Sequence, residues 1–211
     1  MSLASYRTLA RPVVATVEER RSVFECWLRR VEDEAAARAV VEEARATHAD
    51  ARHHCSASVL GPDGAVVRSS DDGEPGGTAG APMLEVLTGS GLSDVVAVVT
   101  RWFGGTLLGT GGLVRAYSEA VRAAVLEAEA LTRVRVVEVD VRAGHDLAGR
   151  LEHDLRAQGV TVLGARYAEQ VTLRVQVPGV GSDLPGLLAE LTSGRAVPVP
   201  GTEVEGWRDE T

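Results

Sequence analysis

Glycine is concentrated in one part of this chain, and that concentration constrains the fold more than any other feature of the sequence. Eleven of the 23 glycines lie between Ser69 and Gly112. Glycine reaches positive φ angles without steric cost, so this segment must contain several tight backbone turns. Regular elements are therefore expected around and between these turns.

The chain before this segment carries patterns typical of strands and helices. Residues 22–28 (SVFECWL) alternate as a half-buried strand does. Residues 33–47 predict an amphipathic helix rich in alanine and glutamate, with acidic residues near its start. The stretch HCSASVL at 54–60 predicts a second strand, and GPDG at 61–64 predicts a turn.

Three regular elements are predicted in and after the glycine-rich segment. Thr78 is expected to cap a short helix that runs through Leu87. A continuous apolar run opens residues 94–103 and predicts a strand that is buried on both faces. Residues 111–130 predict the longest helix, because apolar side chains recur along one side of it.

The pattern changes near residue 131. Residues 132–143 alternate strictly and predict a strand. Further strands are expected at 160–167, 169–178 and 196–200, with helices at 146–158 and 184–192. This β-α-β-β-α-β order is the ferredoxin-like pattern. We therefore predict an α+β protein with two domains, 1–130 and 131–211.

Charge and composition exclude some classes of function. The net charge of −8 argues against general coating of nucleic acid, although a local arginine patch remains compatible with it. All 22 basic residues are arginine, so any bound anion would be held by forked guanidinium groups. The chain has no apolar run of about 18 residues and no signal-peptide core, and its two cysteines do not make a disulfide framework. We expect a soluble cytoplasmic protein with reduced thiols, without a membrane anchor, cofactor or metal.

An acidic stretch, RSSDDGEPGGTAGAP at 68–82, allows two interpretations. Asp71, Asp72 and Glu74 offer hard oxygen ligands for a divalent metal, as in a metal-dependent hydrolase that would also use His53. The spacing does not fit the calcium-loop signature. The favoured interpretation is a turn, because aspartate side chains accept backbone N–H bonds and Gly73 takes a positive φ.

A second stretch, RWFGGTLLGTGGLVRAYS at 101–118, places glycine-rich turns in front of the long helix. Such an arrangement is a natural anion cradle, because free N–H groups and the helix dipole both favour negative charge. The spacing fits neither the P-loop nor the dinucleotide motif. The structural alternative is that these glycines only let the backbone pack closely against a sheet.

Nucleophile and zinc sites are weakly supported. His48, His53, His54 and Cys55 lie close in sequence, but no Cys-x-x-Cys pair accompanies them. Alternation along a strand would also send His54 and Cys55 to opposite faces. Cys55 falls in an apolar strand, where thiols are usually inert.

Three stretches together resemble one family. THADARHHCSA at 47–57, SSDDGEPGGTAGAPMLEVL at 69–87 and VVTRWFGGTLLGTGGLVRAYSEAV at 98–121 are similar to the IMPACT family, in particular its bacterial YigZ branch. The resemblance covers roughly residues 18–125, and the region 131–200 suits the second domain of bacterial members. The chain departs from the commoner pattern at Gly76, Trp102 and Leu107.

The resemblance implies both a fold and a class of function. The first domain would be similar to the second domain of ribosomal protein S5, and the second would be ferredoxin-like, similar to domain V of elongation factor G. Eukaryotic members are translational regulators that bind a ribosome-associated protein. For this chain the resemblance implies a non-enzymatic, translation-associated protein that binds RNA, the ribosome or a protein partner.

The candidate binding residues come from both stretches. We expect Asp72 or Glu74 to fix Arg101 or Arg115 by bidentate pairing, which would hold the glycine-rich segment open for a partner. The alternatives are the metal-dependent hydrolase and a pure protein-interaction scaffold. The predicted binding set comprises His53, Asp71, Asp72, Glu74, Thr78, Arg101, Phe103, Gly104, Gly105, Gly109, Gly111, Gly112, Arg115 and Tyr117.

Overall fold

A computed structural model describes residues 3–179 and 181–210 of the chain. The chain divides into two compact units, one comprising Tyr6–Thr132 and the other beginning at Arg133 and taking in the residues before Tyr6. Helices and sheets occur in both, which confirms the predicted α+β class. Within the described residues, no helix has the length and apolar character needed to span a bilayer.

The N-terminal unit is built around a five-stranded antiparallel sheet. The chain opens with β1 (Ser5–Leu9), which is not a strand of this sheet. The elements that follow are β2 (Val13–Glu19), β3 (Ser22–Arg30), α1 (Glu34–Thr47), β4 (His53–Leu60), β5 (Val66–Ser70), α2 (Gly80–Gly89), β6 (Val95–Trp102) and α3 (Gly109–Glu127). The strand order in the sheet is β2-β3-β6-β4-β5, so β6 is central and β2 and β5 are the edges.

Strand β6 is buried on both faces, as the apolar run predicts. Val95, Ala97 and Val99 belong to a core with residues of α2 and α3. Val96 and Val98 point the other way, into a smaller core with residues of α1. The sheet therefore lies between two helical layers, and period-two alternation decides which layer each β6 side chain meets.

The helix starts differ in how they are capped. The Asp33 side chain accepts from the Ala36 N–H at 2.7 Å at the start of α1. The expected Thr78 cap is wrong: α2 begins after Ala79, and the Thr78 hydroxyl donates instead to the Pro75 carbonyl oxygen at 2.6 Å. Helix α3 begins at Gly109, two residues earlier than predicted.

The C-terminal unit follows the ferredoxin-like order. Its elements are β7 (Ala130–Ala143), α4 (His145–Ala157), β8 (Thr161–Tyr167), β9 (Val171–Pro178), α5 (Leu184–Thr192), β10 (Val197–Pro198) and β11 (Val204–Asp209). The antiparallel pairings give the order β10-β7-β9-β8, and β11 pairs with the first part of β7. One face of this sheet packs on α4 and α5 around residues such as Leu151, Leu173 and Leu188.

Candidate functional site

Asp71 is a structural turn residue whose carboxylate organises the start of α2. Its two oxygens accept hydrogen bonds from the backbone N–H groups of Gly77 at 2.8 Å, Ala79 at 3.0 Å and Gly80 at 2.8 Å. Desolvation raises the pKa of this carboxyl, but the three N–H donors outweigh it and lower the pKa overall. Asp71 is therefore ionised and fully used by the fold.

Asp72 connects the same turn to β4 and α1. It adopts a positive φ of 42°. Its carboxylate accepts from the His54 N–H at 2.6 Å and from the Arg45 guanidinium. The His53 ring nitrogen Nδ1 lies 2.9 Å from the Asp72 carbonyl oxygen. His53 thus lies next to the acidic stretch, and its contact is with the backbone.

Glu74 forms a buried network with Arg101 and Tyr117. Arg101 Nη1 donates to Glu74 Oε1 at 2.6 Å, and the Tyr117 hydroxyl donates to the same oxygen at 2.7 Å. The side chains of Glu74 and Arg101 are 4% and 8% exposed, and Tyr117 is fully buried. Burial, with help from the nearby Cys55 and Glu74, raises the pKa of Tyr117, so its hydroxyl remains a donor.

Arg101 connects this network to the glycine-rich segment. Its guanidinium carbon lies 5.5 Å from the ring centre of Phe24 and 5.7 Å from that of Phe103. The predicted acid–arginine pairing is therefore present as Glu74 with Arg101, through one nitrogen of the guanidinium. The expectation that Arg101 offers its charge to an external partner needs correction, because its side chain is buried against Glu74.

The three carboxylates face different partners and do not converge on one point. Within residues 3–179 and 181–210, no group of three or more His, Cys, Asp or Glu side chains is arranged to hold a metal ion. Desolvation raises the pKa of the Cys55 thiol to about 12, and its Sγ donates to the Asp71 carbonyl oxygen at 3.0 Å. The described residues therefore offer no ligand set for the metal that the hydrolase alternative requires.

The segment between β6 and α3, residues 103–112, is here called the glycine loop. The Gly104 N–H donates to Ser22 Oγ at 3.1 Å, and a Cβ on Gly104 would lie 2.1 Å from the Arg21 carbonyl carbon. Gly104 is therefore needed for close packing, which is the structural alternative. Gly105 and Gly109 have φ of 83° and 69°, and no atom would obstruct a Cβ at either position.

The start of α3 carries donors that the protein leaves unused. No side chain caps the helix at Leu108, and its first turn contains no acidic residue. In the described parts of the chain, no acceptor meets the backbone N–H groups of residues 105–108. The first N–H groups of a helix have no intrahelical partner either. Gly111 is exposed, and Gly112 packs closely beside Leu108.

Arginine and exposed apolar side chains occur in the loop, next to it or in the first two turns of α3. Arg115 is exposed and pairs with no acidic side chain of the described residues. Arg21, which sequence reasoning missed, donates to Thr106 Oγ1 at 3.3 Å. Phe103 and Leu107 are 58% and 83% exposed. The glycine loop thus carries free N–H groups and an exposed aromatic ring, with Arg21 bonded to Thr106 and Arg115 in the second turn of α3.

The predicted residues fall into two groups. A buried or turn-forming group holds the fold together: His53, Asp71, Asp72, Glu74, Thr78, Arg101, Gly104, Gly112 and Tyr117. An exposed group lies in the glycine loop and the first two turns of α3: Phe103, Gly105, Gly109, Gly111 and Arg115. Arg101 links the groups, since it contacts both Glu74 and Phe103.

Comparisons with known proteins agree with this architecture. Residues 20–125 match the family model described as the Impact N-terminal domain, and residues 141–195 match a domain of unknown function, DUF1949. The chain is 41% identical over 179 residues to the IMPACT family member YigZ of Escherichia coli, covering 83% of this chain and 87% of that one.

Two further similarities extend over most of the molecule. The chain is 36% identical to the IMPACT family member YvyE of Bacillus subtilis, covering 92% of this chain and 90% of that one. A solved structure titled as the crystal structure of a hypothetical protein superposes with a TM-score of 0.70 and is 37% identical. It covers 94% of this chain and 98% of its own.

Proposed function

The chain belongs to the IMPACT family, and from this premise we propose that it is a non-enzymatic, translation-associated protein that binds RNA on the ribosome through its glycine loop. The observation that carries this proposal is that, among the described residues, the N–H donors at the start of α3 have no acceptor and the exposed Arg115 in the second turn of the same helix has no ion-pair partner. Backbone donors at a helix start bind phosphate oxygens, and the helix dipole favours the same charge.

The side chains around the donors suit single-stranded RNA. Arg115 and Arg21 present forked guanidinium groups, which match phosphate oxygens in geometry. Phe103 is exposed, and an aromatic ring beside a basic groove gives a base a surface for stacking. The site therefore recognises a phosphate and an unpaired base together, without a need to read sequence.

The buried network has a positioning role in this proposal. Glu74 neutralises Arg101, and Arg101 lies against the Phe103 ring from below the surface. Arg101 and Glu74 therefore hold the base of the glycine loop, whereas Arg115 and Arg21 contact the ligand. The net charge of −8 keeps the rest of the surface unattractive to RNA, so binding is local and depends on the shape of the site.

Ribosome co-sedimentation tests the proposal directly. The double change Arg21→Ala and Arg115→Ala is expected to weaken binding about tenfold, because two phosphate contacts are lost. The matched control is Arg122→Ala, which removes an exposed arginine from the same helix that is already paired with Glu119 at 2.7 Å. Equal binding of the double variant and the control would contradict the proposal.

A protein-interaction scaffold is the second candidate. It is favoured by the exposure of Phe103 and Leu107, which are the kind of apolar side chains that anchor protein interfaces. Nuclease treatment of the co-sedimenting complex separates the two candidates. Retention of a protein partner after complete RNA digestion would favour the scaffold, and loss of all association would favour RNA.

A further inference from the structure

The sheet of the C-terminal unit has a second face that no helix of that unit covers. Alternate residues of β7 and β9, such as Val141 and Leu173, point into the core under α4 and α5. The intervening residues and their partners on β8 point the other way and form what is here called the open face. Its members are Val136, Glu138, Asp140, Arg142, Thr161, Gly164, Arg166, Thr172, Arg174, Gln176 and Pro178.

We propose that the open face is a second binding surface, for the phosphodiester backbone of single-stranded RNA. The contacts are made by Arg142, Thr172 and Arg166, which lie side by side on three neighbouring strands. Thr172 pairs with Arg142 of β7 on one side and with Arg166 of β8 on the other.

Two guanidinium groups on this row have no acidic partner among the residues that the structure describes. Arg142 and Arg166 are exposed, and neither makes an ion pair or a side-chain hydrogen bond with any of the residues the structure describes. Strands in a sheet lie about 4.8 Å apart, so the two backbone positions are separated by roughly 10 Å. Flexible arginine side chains on such a row reach neighbouring phosphates of one strand, with the Thr172 hydroxyl between them.

Both acidic residues of the open face pair with Arg174, which offsets one of their two negative charges. Arg174 Nη1 lies 3.1 Å from Asp140 Oδ1 and 2.9 Å from the Thr202 carbonyl oxygen, and its Nε lies 3.4 Å from Glu138 Oε2. Three arginines against two carboxylates leave the face with a net charge of +1, in a chain whose net charge is −8. The excess positive charge lies on the Arg142–Thr172–Arg166 row.

Gly164 shapes a depression next to this row. A bulge shifts the register between Val162 and Gly164, so that Gly164 lies opposite Arg174. A Cβ on Gly164 would meet no atom within 4 Å. The missing side chain leaves a depression of about 250 Å³, lined by Asp140, Gly164, Ala165, Arg166, Thr172 and Arg174.

The chemistry of the open face favours a nucleic-acid backbone over a protein partner. Its members are charged or polar apart from Gly164 and the pair Val136 and Pro178, and that pair lies at the opposite end of β7 and β9 from the Arg142–Thr172–Arg166 row. Protein interfaces draw most of their affinity from buried aromatic and apolar anchors, which this row lacks. A phosphodiester needs only guanidinium and hydroxyl donors. Because the row also lacks an aromatic ring for stacking, binding is independent of base identity.

Fluorescence anisotropy on the full chain with a labelled oligouridylate tests this inference. The double change Arg142→Gln and Arg166→Gln is expected to weaken binding about tenfold and to lower the slope of log Kd against log salt by about 1.4, since each phosphate contact on a single strand contributes about 0.7. Gly164→Leu is expected to weaken binding as well, by filling the depression without removing a charge. The matched control is Arg150→Gln with Arg195→Gln, which removes two exposed arginines that pair with Asp154 and Asp146.

The outcomes separate this surface from the glycine loop. Unchanged RNA affinity and salt slope in the Arg142/Arg166 variant, with a loss in the Arg21/Arg115 variant, overturn the second surface alone. The reverse result supports the second surface and overturns the proposed role of the glycine loop. Failure of the wild type to bind oligouridylate overturns both. In a competition experiment, oligoglutamate is added at a charge concentration equal to that of the RNA. If it displaces the RNA, the open face binds an acidic protein segment, and the proposal is overturned.

Discussion

The acidic turn, residues 71–80, leads into α2, and the glycine loop, residues 103–112, leads into α3. The two segments differ in whether their backbone N–H donors have acceptors within the protein. Each contains a glycine whose missing side chain lets two backbone segments touch. A Cβ on Gly80 would lie 2.8 Å from Ser70 N, and one on Gly104 would lie 2.1 Å from the Arg21 carbonyl carbon. Both segments are thus fixed against a neighbouring strand or hairpin.

Carboxylates make the difference between the two segments. Asp71 satisfies three N–H groups at the start of α2, whereas the start of α3 has no acidic residue in its first turn and no side-chain cap. A glycine-rich helix start is therefore structural where an aspartate closes it and available to an anion where none does. The same glycine content serves stability in one place and, on our proposal, binding in the other.

The largest expected effect comes from the buried ion pair that connects the two segments. Glu74→Ala leaves the Arg101 guanidinium buried without its carboxylate, so the free energy of unfolding is expected to fall by about 3–5 kcal/mol. Denaturant unfolding monitored by far-UV circular dichroism measures this change.

A matched pair on the surface supplies the control. Glu119 and Arg122 lie at nearly the same distance, 2.7 Å against 2.6 Å, but more than half of each side chain is exposed. Glu119→Ala is expected to cost under about 1 kcal/mol, because solvent screens an exposed pair. Similar losses for Glu74→Ala and Glu119→Ala would show that the buried network does not hold the acidic turn.

Asp71→Asn gives the next largest effect and tests the acidic turn by itself. Loss of charge weakens three hydrogen bonds to backbone N–H groups, with an expected cost of about 2–3 kcal/mol near neutral pH. The folded state lowers the pKa of Asp71, so this stabilisation is present above the unfolded pKa of about 4 and is lost as pH falls through the folded value. Urea unfolding of both proteins across this range is the measurement.

The pH profile distinguishes a charge effect from a packing effect. If the carboxylate charge stabilises the turn, the gap between wild type and Asp71→Asn is constant above pH of about 5 and closes in acid. A gap that stayed the same down to the acid limit of folding would assign the loss to geometry.

The sequence predicted elements well where side chains alternate between two cores. Strand β6 and the ferredoxin-like order of the second unit are confirmed. Both could be predicted because the spacing of apolar residues marks their elements. Strand β5 was missed because its side chains are all exposed and it is held to β4 by backbone pairing, which leaves no apolar signal. Strand β2, in contrast, does carry alternating buried residues at Val13 and Ala15, so its signal was present.

Strand alternation could have predicted the position of Arg101 but not that of Arg21. Arg101 follows Val95, Ala97 and Val99 at intervals of two, so alternation alone sends it to the face under α2 and α3. Arg21 reaches the glycine loop because the turn between β2 and β3 packs against Gly104. That contact joins residues 83 positions apart, and no local pattern encodes it.

The smallest and most discriminating change converts the glycine loop toward the acidic turn. Thr110 is exposed in the first turn of α3. Thr110→Asp places a carboxylate next to the unused N–H groups, which stabilises the helix by about 0.3–1 kcal/mol. The same carboxylate repels phosphate and competes for its donors, so ribosome binding is expected to fall although the protein becomes more stable.

Stability is expected to rise while ribosome binding falls, so misfolding of the variant would not account for the loss of binding. Thr110→Asn is the matched control, because it has nearly the same shape as aspartate without the charge and is expected to leave binding within about twofold of wild type. Thermal unfolding and ribosome co-sedimentation are measured on the same preparations of all three proteins. If the Thr110→Asp protein is more stable and binds ribosomes as the wild type does, the start of α3 does not bind the anion. The acidic turn and the glycine loop would then differ in structure but not in ribosome binding.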